Sequence, residues 1–271
     1  MSTASNSSPL PPPSVSVVMT AYNAADTIGL AITSVLAQEF HNFELIVVDD
    51  GSTDGTGDVV RSFADSRIRL DSPVRMGRSA AVNHGVDLAG GEFIAIADAD
   101  DIALPSRLCL QQAFMSAHPD IDVLGGQMTA FWGSRSWRLN YPLAHDLIVS
   151  ELTAGRMPLA HPAAMMRRAW FLRVGGMNTR YSRIEDFDLY YRSRTVTRFA
   201  ALPEPLINYR FKTLSFDRWQ QDNALFLRAQ GKQSITHWER LGYLKYRVAV
   251  ATQKRGWKVT PKGRGVIDSP H

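Results

Sequence analysis

The chain has 271 residues, 45% of them hydrophobic, which suits one large domain or one domain with an appendage. A single cysteine, Cys109, excludes an intrachain disulfide framework and favours a reducing, cytoplasmic setting, and no apolar run approaches the ~20 residues that cross a bilayer. Net charge is +4 but uneven: from Asn208 onward 13 Lys/Arg stand against 4 Asp/Glu, so the last part of the chain has a task of its own.

Residues 1–14 are Ser/Pro-rich with neither a basic start nor an apolar centre, and read as a disordered tail instead of a signal peptide. Val15–Met19 is a β-rich run that stops at Thr20-Ala21-Tyr22-Asn23. A helix follows with Ile28, Ala31, Ile32, Val35 and Leu36 on one face and Asn23 or Asp26 available as its cap. Leu45–Val48 is a second apolar run, ended by Asp49-Asp50-Gly51-Ser52. The pattern then predicts a helix over Thr56–Ala64, a short strand at Ile68–Leu70 and a loop holding Arg75, Gly77 and Arg78. A further helix over Ser79–Leu88 is expected to stop at Gly90-Gly91. Phe93–Ala97 is the next strand, and Cys109 sits in a helical stretch. Strands alternating with helices at this spacing predict an α/β fold, a mostly parallel sheet covered on both faces.

Phe93–Ala97 ends in Asp98-Ala99-Asp100-Asp101, three carboxylates within four residues. A buried strand cannot carry ionised carboxylates unless something positive meets them. A hard divalent cation, Mg²⁺ or Mn²⁺, shared with substrate phosphates answers that need. Polar residues end three strands in this way, and ligands of open sheets bind outside strand carboxyl ends. Turn chemistry explains any one cluster but not three on one edge.

Rival motifs fare worse. Asp50-x-Ser52-x-Asp54-Gly55 begins like a calcium loop, yet Arg61 stands where a bidentate Glu is required. No glycine fingerprint for nicotinamide or P-loop nucleotides occurs. Asp98-Ala99-Asp100 also fits an aspartyl-phosphate phosphatase of the haloacid dehalogenase type, which remains the enzymatic alternative. A catalytically inactive sugar-nucleotide binding protein is the non-enzymatic one.

Four ordered signals carry a resemblance: Val15–Asn23, Val47–Asp54, Gly91–Asp101 with its D-x-D, and Glu185-Asp186-Phe187-Asp188-Leu189. Over about residues 15–212 the chain resembles the family 2 glycosyltransferases. The resemblance implies the GT-A fold, a Rossmann-like sheet with helices on both faces, and an inverting, metal-dependent transfer of sugar from a nucleotide donor. By that resemblance Thr20 and Tyr22 line the nucleobase pocket, Ala21 and Asn23 belong to the same nucleotide-sugar site, and Asp50 accepts a hydrogen bond from the base, most often uracil. Arg78, with Arg75 nearby, approaches the nucleotide. Asp98 contacts the ribose or shares the metal, Ala99 belongs to the nucleotide-sugar site, Asp100 ligates Mg²⁺ or Mn²⁺, and Asp186 is the general base. His161 and Glu185 are candidates for the acceptor side, although a lone His before a β-rich segment is more often structural. The acceptor is expected to be a hydroxyl of a glycan or lipid-linked glycan, and no nucleic-acid partner is expected.

The physical chemistry agrees. A divalent ion stabilises charge growing on the leaving phosphate, so one carboxylate suffices as base on the opposite face. Glu185, Asp186 and Asp188 also suit a helix start, with helical pattern over Asp188–Arg194. Trp132, Trp137 and Tyr141 fit either a sugar-stacking platform or packing on the sheet. Two departures stand out. Ser215 occupies the Gln position of the processive Q-x-x-R-W motif before Arg218-Trp219, which points to a non-processive enzyme. Phe211 or Lys212 stands where many relatives carry His.

Residues 213–271 form a separate, basic segment. Ile235, Trp238, Leu241, Leu244, Val248 and Ala251 make a helical stripe flanked by Lys and Arg. It reads as a helix packed on the catalytic domain or as a peripheral contact with the inner face of the cytoplasmic membrane.

Overall fold

A computed structural model describes residues 12–181 and 183–211. The chain runs β1 (Val15–Ala21), α1 (Ala25–Leu36), β2 (Phe43–Asp49), α2 (Thr56–Arg61), β3 (Ile68–Asp71), α3 (Arg78–Leu88) and β4 (Phe93–Asp98). It continues through β5 (Ile102–Ala103), α4 (Arg107–Ala117), β6 (Val123–Trp132), β7 (Arg135–Leu139) and α5 (His145–Thr153). A 3₁₀ turn (His161–Ala163) leads to β8 (Met165–Arg167), α6 (Arg168–Arg173), α7 (Glu185–Ser193) and β9 (Phe199–Arg210). Most of the predicted tail and the whole predicted C-terminal segment lie outside the described residues.

The strands join in the order β3-β2-β1-β4-β8-β6-β9-β5, with β7 paired to β6. β3, β2, β1 and β4 are parallel, β8 runs against both β4 and β6, and β9 returns parallel to β6. Alternation along β1 divides the core. Val15, Val17 and Met19 pack with Ile28, Ile32 and Val35 of α1, while Val18 faces Ala81, Val82 and Val86 of α3. With both faces covered, β2 and β4 read as almost continuous apolar runs. Full burial of each such side chain stabilises by roughly 1.5–3 kcal/mol.

The topology creates the site. From β1 the chain adds β2 and β3 on one side, then crosses under the sheet through α3 to place β4 on the other. The crevice lies where that order reverses, between the carboxyl ends of β1 and β4. Register sets Thr20 beside Asp98 and Ala21 beside Asp49.

Several local expectations need correction. Neither Asn23 nor Asp26 caps α1; its N-cap is Ala24, with no side-chain capping bond of its own. The α1 start is held from across the sheet edge, because Asp54 accepts the N–H of Ala25 (3.0 Å) and Thr56 that of Ala24 (2.8 Å). α2 stops at Arg61, short of Ala64. α3 ends at Leu88 with Ala89 already extended, so Gly90-Gly91 is not its stop. Gly91 answers a different need: a Cβ there would lie 2.6 Å from the Ser16 backbone nitrogen. α7 begins at Glu185, three residues before the predicted Asp188. Trp137 meets Phe211 edge-on at 5.2 Å and Tyr141 packs on the core, which favours the packing reading for both, while Trp132 is exposed.

Candidate functional site

A cavity of about 340 Å³ opens at that crevice. Thr20, Ala21, Tyr22, Asn23, Asp50, Arg78, Asp98, Ala99 and Asp100, all anticipated from the sequence, line it together. Ala24, Asp26 and Thr27 complete the wall and were not anticipated. The signal for them was available, since the first turn of a helix following a strand faces the same crevice.

The pocket rim is a mutual clasp between two loops. The Ser52 hydroxyl accepts the N–H of Asn23 (2.8 Å), and Asn23 Oδ1 accepts that of Thr53 (2.9 Å). Asp54 accepts from the Thr56 hydroxyl (2.5 Å). Thus the stretch that resembled a calcium loop spends its oxygens on neighbouring donors. Asp50 faces the pocket from the end of β2, and its carboxylate accepts the N–H groups of Met76 (2.6 Å) and Gly77 (3.0 Å). The same loop lays the Arg75 guanidinium over the Tyr22 ring, 3.7 Å from its centroid, and Arg75 donates to the Tyr22 hydroxyl at 2.6 Å. This fixes an aromatic face beside Asp50.

Arg78, the first residue of α3, joins two parts of the sheet. Its Nη2 donates to Asp98 (2.7 Å) and its Nε to Glu185 (2.7 Å). The Asp98 charge first, then Glu185, holds this guanidinium firmly protonated against the cost of burial. Glu185 and Asp186 open α7, so the acidic segment is a helix start as well as a site component. Burial pushes both carboxyls above their ordinary values. Asp186 repels the charge on Glu185, and Arg78 pulls both back down. Asp186 accepts the N–H of Phe187 (2.8 Å), whereas Glu185 and Asp188 are each engaged by an arginine, Arg78 and Arg192. A half-buried carboxylate with a raised pKa accepts a proton more readily than an exposed one.

Glu185, Asp186 and His161 do not line the cavity. His161 is 3% exposed, lies in the 3₁₀ turn and pairs through Nδ1 with the Tyr190 hydroxyl (2.9 Å). Burial first, then the Arg78 charge, lowers it to about 4, so it is neutral at ordinary pH. It sits behind the charged groups instead of on a surface that an acceptor would touch.

Sequence reading missed the support beneath the D-x-D turn. Arg107 of α4 is buried and donates to the carbonyl of Ile96 (2.7 Å) and to Gln111 (3.1 Å). Burial lowers it to about 10, while desolvation and then the Asp98 charge raise neighbouring Asp101 to about 8. Asp101 accepts the N–H of Arg210 (2.8 Å), and Arg210 donates through Nε to the Asp100 carbonyl (3.1 Å). The end of β9 thereby fixes the turn. A run of three carboxylates followed by an arginine six residues on was the only sequence trace of this.

For a metal, Asp98 and Asp100 offer hard oxygen donors on the pocket wall. Among the described residues no group of three or more His, Cys, Asp or Glu converges. This donor set fits Mg²⁺ or Mn²⁺ held by one or two carboxylates plus ligand phosphates, and it does not fit an all-protein cage. No helix among the described residues is long and apolar enough to cross a membrane.

The parallel half-sheet, the antiparallel β8 and the acidic crevice define the GT-A class of fold. TarS of S. aureus in complex with UDP superposes with a TM-score of 0.63 at 20% identity, covering 82% of this chain and 67% of that one. The mannosyltransferase PcManGT of Pyrobaculum calidifontis, in complex with GDP-Man and Mn²⁺, gives 0.62 at 18% identity, covering 93% and 78%. Residues 16–175 match the model of glycosyl transferase family 2. The chain belongs to that family and carries its glycosyltransferase domain. EpsE of Bacillus subtilis (strain 168) is 35% identical over 188 residues, 66% of each chain. The UDP-Glc:alpha-D-GlcNAc-diphosphoundecaprenol beta-1,3-glucosyltransferase WfgD of Escherichia coli is 43% identical over 102 residues, 37% of this chain and 40% of that one. The chain thus spans just under two thirds of one of these relatives and two fifths of the other. Membership of this family removes the phosphatase alternative.

Proposed function

We propose that the protein transfers a sugar, with inversion, from a nucleoside diphosphate donor to a hydroxyl of a glycan or lipid-linked acceptor. The observation that carries this reading is one cavity lined by Thr20, Tyr22, Asp50, Asp98 and Asp100, tied through Arg78 to the helix that presents Asp186. Tyr22 and Asp50 suit a base that stacks and donates, for which uracil is the choice. UDP in one structural neighbour and GDP-Man with Mn²⁺ in another support a nucleotide-sugar donor.

Asp100, with Asp98 beside it, would hold Mg²⁺ or Mn²⁺ together with the donor phosphates; that ion supplies Lewis-acid stabilisation of the leaving diphosphate. Thr20, Tyr22 and Asp50 orient the nucleoside. Asp186 takes the proton of the acceptor hydroxyl as its oxygen bonds to the anomeric carbon, and the bond from that carbon to the phosphate oxygen breaks on the opposite face. Glu185, neutralised by Arg78, is less suited to that proton. The basic residues 213–271 are proposed to contact an anionic membrane surface, checked by flotation with anionic against neutral vesicles at low and high salt.

The test is a panel of nucleotide sugars with and without Mn²⁺, followed by nucleoside diphosphate release. Release from UDP-sugars that requires the metal is the expected result. Binding without release from any donor would favour the inactive binding protein.

A further inference from the structure

The segment that leads into α7 is anchored mainly by α3. Asn83 donates from Nδ2 to the Met177 carbonyl (2.9 Å) and accepts the Met177 N–H at Oδ1 (2.7 Å), holding both backbone polar groups of one residue. One turn earlier on the helix, Ser79 donates to the Tyr181 carbonyl (2.6 Å). Arg78 meets Glu185. Three positions on one helix therefore tie down residues 177, 181 and 185 in order. Gly176, at φ +63°, makes the first tie possible, since a Cβ there would lie 2.7 Å from Asn83 Oδ1. On the other side Arg192 donates to the carbonyls of Val174 and Gly176.

The ties have something to hold. Ile184, immediately before Glu185 and Asp186, has φ +60°. A β-branched residue is strained there and keeps that conformation only when its surroundings impose it. The bend at Ile184 turns the first residues of α7 toward Arg78. Asn83 makes no contact with the cavity and its partners are backbone atoms, so it has no donor group to bind.

We propose that Asn83, seconded by Ser79, is a positioning residue: it sets the height of segment 176–185 and so the reach of Asp186 toward the acceptor hydroxyl. The inference rests on the transfer reading above. Misplacement by about 1 Å costs on the order of 10²-fold in rate, so a loosened clasp lowers transfer while the donor pocket, built from β1, β2 and β4, stays intact.

The experiment pairs Asn83→Ala with Gly176→Ala, which disturbs the clasp from its other side, and adds Asn83→Asp should the alanine variant not fold. Three quantities are read in the full-length protein: hydrogen exchange of the Met177 amide, calorimetric affinity for UDP with Mn²⁺, and kcat for transfer. Faster Met177 exchange, unchanged UDP affinity and a kcat lowered by about 10²-fold is the expected set. Parallel losses of UDP affinity and kcat would reduce Asn83 to a general structural role. Unaltered exchange, or faster exchange with normal kcat, overturns the proposal outright. Should wild-type protein transfer sugar from no donor, the functional reading fails while the exchange arm still judges the clasp. Ser79→Ala, which loses only the Tyr181 tie, is expected to give a smaller fall of the same kind.

Discussion

Residues 15–103 and residues 104–211 place their charged groups by different routes. In the first part, Thr20, Asp50 and Asp98 project from the ends of adjacent parallel strands, and strand register alone makes them neighbours. In the second part, Glu185 and Asp186 stand at a helix start, behind a left-handed Ile184, outside the cavity lining, and are linked to it through the Arg78–Glu185 pair. A pocket made by sheet register tolerates change at single side chains, whereas a carboxylate placed by a few long-range ties is sensitive to each of them.

Asp186→Asn sharpens that contrast most. Transfer is expected to fall by about 10²–10⁴-fold while donor affinity, a property of the first part, persists. Because burial raises the Asp186 carboxyl, wild-type kcat should climb with pH along an acidic limb placed above the usual carboxylate range. A pH–rate profile would show that limb vanish in the variant. Near-normal transfer by Asp186→Asn would move the base to Glu185 or Asp188.

His161 tests how dry the second part is. Its folded value near 4 lies below the ordinary 6.5, so its contribution to stability is complete above 6.5 and is lost as pH falls toward 4. Over that window the linkage amounts to roughly 3 kcal/mol. Denaturant midpoints between pH 4 and 7 should therefore flatten in His161→Gln relative to the wild type. An unchanged slope would place water beside the imidazole.

Asp100→Ala addresses the first part. UDP with Mn²⁺ at a hundred times Kd should stabilise the wild type by about 2.7 kcal/mol, measured as a rise in Tm. The variant should lose the metal-dependent portion and keep whatever UDP gives alone. A larger shift with GDP than with UDP would correct the base assignment.

Arg78→Lys is the smallest and the most direct attack on the comparison, because this side chain belongs to both parts. A lysine retains the charge but cannot fork between Asp98 and Glu185. Donor affinity and transfer should both decline, by about tenfold each if one charge-assisted bond worth about 1.5 kcal/mol is lost. A loss confined to donor affinity would mean that the link to α7 is idle.

Much of this was legible beforehand, and the boundary of legibility follows the same division. Thr20, Ala21, Tyr22, Asn23, Asp50, Arg78, Asp98 and Ala99, expected together from the sequence, line one cavity, because in a parallel sheet a polar residue ending an apolar run has nowhere to lie but the carboxyl edge. The E-D-x-D-L segment was recognised through its family pattern, but its tie to Arg78 spans over a hundred positions and leaves no local trace. Strands β6, β7 and β9 escaped for a related reason. They mix exposed and buried positions and pair partly antiparallel, so their periodicity is broken by bulges and turns. His161 allowed an acceptor-side or a structural reading, and its burial against the Tyr190 hydroxyl favours the structural one.

The sequence by itself determined the alternating strands and helices, the carboxylates at their ends and the family those motifs define, since these depend on side-chain pattern over a few neighbouring residues. Only the tertiary structure decided which acids on α7 are paired with an arginine, what supports Asp101, and that Asn83 is bonded to Met177. Those outcomes are fixed by burial and by hydrogen bonds between distant backbone groups, and both come into being only once the sheet has closed.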